Sequence, residues 1–156
     1  MKKNSLSGTL WEALWRAEKP HFPPRKLTKV QEAGLRFERK MGKLLGQEYP
    51  DIPLMLGPWI DYKDDGGWFV AQPDILLIPP DGPIRLVECK LKYKPEAEAK
   101  IRNLYIPLIR KITGRPVAPF QVCKYLGLYV DAVHDLSSLM KVSENDPDKY
   151  RVVHSL

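Results

Sequence analysis

The sequence predicts an α/β protein in which a mixed four-stranded sheet is flanked by helices and preceded by an extra N-terminal helix. Three observations predict it. A long helical pattern begins at Thr28, and strand-like apolar runs punctuated by Pro, Gly and Asp follow between Leu54 and Leu91. A second helical pattern then separates these runs from one more, Val117–Leu126. At 156 residues the chain is long enough for one domain with a proper core and too short for two of ordinary size. Residues 1–27 are expected to be an N-terminal helix with a Pro-rich linker, and residues 28–156 the main domain.

Within residues 5–18, Leu6, Leu10, Ala13, Leu14 and Ala17 form a helical stripe that Trp11 and Trp15 widen. The Trp pair suits core packing, a homodimer contact through this helix, or a wedge against nucleic-acid bases. The prolines of residues 19–24 cannot continue a helix. Thr28–Gln31 then matches a capping box, opening a helix whose Val30, Ala33, Gly34, Phe37, Met41, Leu44 and Leu45 share a face. Glu38 falls at the edge of that face and Glu32 points away. Glu38 could therefore reach a site on the sheet or pair with a nearby cation in solvent.

Leu54–Tyr62 reads as a first strand, Asp64-Asp65-Gly66-Gly67 as a turn, and Trp68–Val70 as the start of a second strand running onward to Asp74, which opens the apolar run Ile75–Ile78. Pro79-Pro80-Asp81-Gly82-Pro83 then turns the chain into a third, Ile84–Leu91, completing an antiparallel meander. Pro95 suits a helix start and Gly114 its C-cap, while Pro107 should kink or split the helix. Val117–Leu126 follows the helix and should lie parallel to the Ile84 strand, leaving helices on both faces of the sheet. Beyond Asp131 a short helix near Leu136–Met140 and an edge strand at Tyr150–His154 are expected.

Lys and Arg number 25 against 19 Asp and Glu, a net charge of +6, which favours a polyanionic partner without establishing one. No run of about 18 apolar residues could span a membrane, and Met1-Lys2-Lys3 is not followed by a signal-peptide apolar core. A soluble, cytoplasmic protein is the expectation. The two cysteines, Cys89 and Cys123, lack metal or redox spacing and read as buried, unreactive thiols. His21, His134 and His154 are scattered, and no nucleophile elbow, Walker loop or dinucleotide fingerprint occurs.

The chemistry concentrates in QPDILLIPPDGPIRLVECKLKY, residues 72–93. Glu88 and Lys90 are two apart on one strand and so share a face, where a core strand has no packing reason to carry both. Pairing across the turn brings Asp74 near Glu88, and a hard divalent ion would reconcile the two like charges. Lys90 could orient a water or neutralise charge on a phosphate. The plainer alternative is a surface hairpin with a Glu88–Lys90 ion pair.

Pro-Asp, then thirteen residues forming a hairpin, then Glu-x-Lys resembles the signature of the PD-(D/E)xK nuclease superfamily. The resemblance implies an αβββαβ, restriction-endonuclease-like core and Mg2+- or Mn2+-dependent hydrolysis of phosphodiester bonds, usually in DNA. It further implies Asp74, Glu88 and the Cys89 backbone carbonyl as metal ligands, Lys90 as the activating cation and Glu38 as an assisting carboxylate. Lys92, Lys94 and Lys124 are the cations expected to contact nucleic acid. Gln121-x-x-x-Tyr125 matches a DNA-binding motif of RecB-like exonucleases, but here it falls on a strand instead of a helix and is not carried over. A domain of this size suits structure-selective cleavage, as by a junction resolvase, or end-directed trimming. A non-cleaving accessory module of the same fold is the alternative, against which the intact Asp74, Glu88 and Lys90 argue.

Overall fold

The computed structural model describes residues 3–127, 129, 131–142 and 145–155. Met1 and Lys2, read above as part of the polar N-terminus, lie outside them. In chain order the elements are β1 (Glu12–Arg16), α1 (Lys29–Glu48), β2 (Leu54–Leu56), β3 (Trp59–Asp64), β4 (Gly67–Ala71), β5 (Ile75–Leu77) and β6 (Ile84–Lys92). There follow α2 (Glu96–Lys100), a π-helical turn (Ile101–Tyr105), α3 (Ile106–Thr113), β7 (Val117–Tyr125), a 3-10 turn (Leu136–Met140) and β8 (Arg151–His154).

Two sheets form where one of four strands was expected. An antiparallel sheet has the order β1-β3-β4, and a mixed five-stranded sheet has the order β2-β5-β6-β7-β8. The expected N-terminal helix is absent: its central residues are β1, paired with β3 from Glu12↔Lys63 to Arg16↔Trp59. Gly8 at φ 67 interrupts the helical stripe, and from Glu12 the exposed and half-buried residues alternate with period two. Trp15 turns inward onto the core beside Leu6, Leu10 and Ala13, and the exposed Trp11 donates its indole N–H to Asp65 Oδ1 at 2.7 Å.

The expected strand Leu54–Tyr62 is likewise two strands in different sheets. Gly57 at φ 54 followed by Pro58 breaks it, which sends β2 to the edge of the five-stranded sheet and β3 into the other. The meander is therefore divided between the sheets, with the β4–β5 connection crossing from one to the other.

Alternation along β6 sorts the core into two layers. Val87 and Cys89 pack with Phe37, Met41 and Leu45 of α1, together with Ala118, Phe120 and Val122 of β7. Ile84 and Leu86 face the other way, onto Ile101, Leu104, Leu108 and Ile109 and the inner face of β3. Both faces of β6 are thus buried as far as Val87, and the one charge among them, Arg85, is met by backbone carbonyls, donating from Nε to that of Leu139 at 2.9 Å. α1 is held at its start by the reciprocal box in which Thr28 Oγ1 accepts the Gln31 N–H and Gln31 Oε1 accepts the Thr28 N–H at 2.9 Å. Val30, counted in its apolar face, is 73% exposed.

Pro107 does not end the second helix. It has no N–H to give the Asn103 carbonyl four residues back, and the chain widens into the π turn immediately before it. The released Asn103 carbonyl accepts the backbone N–H of Leu6 at 3.2 Å, tying the N-terminal segment across the helix. Gly114, at φ 69, closes α3 as its C-cap.

Candidate active site

The β5–β6 ladder ends at Ile75↔Val87, so Asp74 and Glu88 lie just beyond it, where side chains take over the pairing. Asp74 donates its backbone N–H to Glu88 Oε1 at 2.8 Å, and its own Oδ2 accepts the Cys89 N–H at 2.8 Å. The Asp74 carbonyl accepts from Gly57 N–H at 2.7 Å, the Gly57 carbonyl accepts from Gln72 Nε2 at 3.0 Å, and the Gln72 carbonyl accepts from Tyr105 Oη at 3.2 Å. The kink that splits β2 from β3 is thus one of the supports of Asp74. Because the N–H and C=O of a strand residue point to the same edge, the Cys89 carbonyl also faces the Asp74 side.

Glu88 is 4% exposed and Asp74 is largely buried beside it. Burial raises the pKa of both carboxyls, and the Asp74 charge raises that of Glu88 further, while Lys90 and Lys100 pull both down without cancelling the rise. Two desolvated carboxyls side by side hold a proton unless a cation replaces it. They border a cavity of about 190 Å³ shared with Lys90, Lys100, Gln72 and Tyr105, with Lys3 at its rim. Glu38, half-buried on α1, has its pKa pushed up to about 7 by burial first and the Asp74 charge second, against Lys90 and Arg39.

Among the described residues no cluster of three or more His, Cys, Asp or Glu side chains is arranged to hold a metal. Zinc, which takes four side-chain ligands in structural sites and three in catalytic ones, has no seat here. A hard ion such as Mg2+ or Mn2+ needs one or two carboxylates and otherwise takes carbonyls and waters, and the buried Asp74–Glu88 pair fits that requirement.

Of the residues singled out from sequence, Asp74, Glu88 and Lys90 share one cavity and Glu38 is electrostatically coupled to Asp74 and Lys90. The expected nucleic-acid cations are divided. Lys94 lies beside Lys90 and Lys100 in an adjoining groove, whereas Lys124 lines a separate groove of about 150 Å³ with Arg36 and Lys40 of α1. Lys92, exposed at the end of β6, runs alongside Gly127. Gln121 is wholly buried on β7, where its amide donates to the Lys94 carbonyl at 3.0 Å and accepts from the Lys94 N–H at 2.8 Å. That role is the positioning of the turn after β6. The two thiols are free and buried on neighbouring strands, with burial pushing Cys123 up to about 12.

Sequence reasoning missed Lys100. Its signal was available, because Lys100 sits between Ala97 and Leu104 at i+3 and i−4 spacing, on the inward stripe of the second helix. It also missed the pairing of His134 with His154, whose Nδ1 atoms lie 3.1 Å apart, since only the parallel approach of Val133 to β8 brings them together.

No family model and no curated protein matches the chain. A solved structure to which it is similar is protein VC1899 from Vibrio cholerae, at 13% sequence identity and a TM-score of 0.44. The match covers 75% of this chain and 28% of that one, a distant likeness on which no argument is built. Among the described residues no helix is long and apolar enough to cross a membrane.

Proposed function

We propose that this protein is a Mg2+- or Mn2+-dependent nuclease of the PD-(D/E)xK type, hydrolysing phosphodiester bonds in DNA. The observation that carries the reading is the single cavity in which the buried Asp74–Glu88 pair faces the ammonium groups of Lys90 and Lys100. Carboxylates alone would repel a phosphodiester and lysines alone would bind without cutting. The combination suits an anionic substrate brought to a divalent ion.

Asp74 and Glu88 would hold the ion, with the Cys89 carbonyl as a third oxygen on the same edge. Such an ion supplies Lewis acidity towards a phosphoryl oxygen and acidifies water. Lys90 would neutralise charge developing on the phosphate. Glu38, whose pKa of about 7 lets it exchange a proton at neutral pH, would take the proton of the attacking water on the α1 side of the site.

Incubation of the purified protein with linear duplex, single-stranded, branched and circular DNA, with Mg2+ or Mn2+ and with chelator, tests this. Cleavage that requires the metal is expected. Binding without cleavage under every metal condition would favour the accessory-module reading instead.

A further inference from the structure

The carboxylate cavity does not stand alone. Lys90 and Lys100 also line a neighbouring groove of about 530 Å³, whose wall includes Lys94, Asn103 and residues 4–5 of the N-terminal segment. The same two lysines therefore stand between the two hollows. Glu96 is the one acidic residue on the groove, against three lysines. None of Lys90, Lys94 and Lys100 makes an ion pair among the described residues, and Lys100 Nζ stands 5.3 Å from the ring centroid of Tyr105. Three cations gathered without an ion-pair partner among them mark a place for an anion with repeating charge.

The shape of the hollow restricts what that anion can be. Glu88 is 4% exposed at the bottom of a cavity walled by the β4–β5 connection on one side and the π turn on another. The N-terminal segment is pinned over the helix by the Leu6–Asn103 bond, and against the β3–β4 turn by Ser7 N–H to Asp64 Oδ2 at 2.9 Å and Asp65 N–H to the Ser7 carbonyl at 3.0 Å. Phosphates of a regular duplex lie on a rigid convex surface backed by base pairs, which fits a recessed hollow poorly. A single strand can bend into it.

We propose that Lys100, with Lys94 and Asn103, forms a phosphate track that leads single-stranded DNA, as a free strand, flap or frayed end, past the N-terminal segment to Asp74 and Glu88. The proposal rests on the nuclease reading for its choice of DNA and narrows the substrate to strands that are unpaired at the site. Lys100 is the hinge of the track because it borders both hollows. Lys124, in its separate groove beside α1, has no part in it.

The test is binding of a short fluorescein-labelled single-stranded deoxyoligonucleotide to the full chain in Ca2+, read by anisotropy across a salt series. For single strands, each phosphate neutralised contributes about 0.7 to the slope of log affinity against log salt. Lys100→Ala is expected to weaken binding severalfold and to flatten the slope by about that amount, while Lys43→Ala on the opposite face changes neither. The blunt duplex of the same sequence should bind at least about tenfold more weakly. An unchanged slope in Lys100→Ala, equal affinity for duplex, or no binding by the wild-type protein would each overturn the track. Absence of cleavage in Mg2+ with the Lys100-dependent slope intact would instead remove the nuclease reading and support the track as a binding site.

Discussion

Asp74 and Glu88 hold one another at the open end of the β5–β6 ladder: the Asp74 N–H donates to Glu88 Oε1 at 2.8 Å, and Asp74 Oδ2 accepts the N–H of Cys89, the residue after Glu88, at 2.8 Å. Each carboxylate is oriented by the backbone of the other's strand. Two charged carboxylates would be expensive in so buried a setting, so the pair holds a proton unless a cation takes its place.

For Lys90→Ala the expected outcome is a fall in turnover of at least about a hundredfold, roughly 2.7 kcal/mol of lost transition-state stabilisation, with metal affinity retained. An ammonium is a poor metal ligand, so the two effects should separate. Calorimetry showing Mn2+ binding lost along with Lys90 would contradict the division of roles.

The pH dependence of stability follows from Glu38. Its pKa is about 7 in the folded protein against 4.5 ordinarily, so the folded state binds this proton more tightly than the unfolded one. Its contribution is fully present below the ordinary value and is lost as pH rises through about 7. The metal-free protein should therefore melt at lower temperature as pH rises across that window, and Glu38→Gln should melt higher than wild type above it. The buried Asp74–Glu88 pair, also shifted upward, works in the same direction. If Glu38→Gln leaves the dependence of Tm on pH unaltered, the coupling of Glu38 to this site is wrong.

Pro107 governs the N-terminal segment at a distance. Pro107→Ala restores an N–H that can compete for the Asn103 carbonyl, now taken by Leu6. Hydrogen exchange at the Leu6 amide should quicken by about tenfold, the worth of roughly one backbone hydrogen bond. Unchanged protection at Leu6 would show that the π turn has another cause.

The parts of this fold that were legible in sequence are those where local chemistry and tertiary packing agree. Thr28–Gln31 caps α1, Gly114 ends α3, and the Asp74 to Lys90 hairpin carries its carboxylates where strand alternation puts them. The N-terminal segment was misread because Leu6, Leu10, Ala13 and Leu14 fit a helical stripe while Ala13 and Trp15 fit a strand equally well. Pairing with β3, invisible in the local pattern, decided it. Gly57-Pro58 was a legible break, but nothing local says that the chain changes sheets there. Lys100 was legible as a cation at the spacing of the inward stripe, whereas the His134–His154 contact was hidden by 20 residues of separation.

The most direct test of the proposed metal role of Asp74 is the cleavage rate of Asp74→Asn at saturating Mn2+, alongside wild type on the same DNA. The substitution keeps the size of the side chain and a carbonyl oxygen to accept from Cys89, but removes the charge that would hold the ion. A loss of at least about a thousandfold, some 4 kcal/mol, is expected in a protein that still folds and still binds DNA. Cleavage by Asp74→Asn at the wild-type rate would contradict that role.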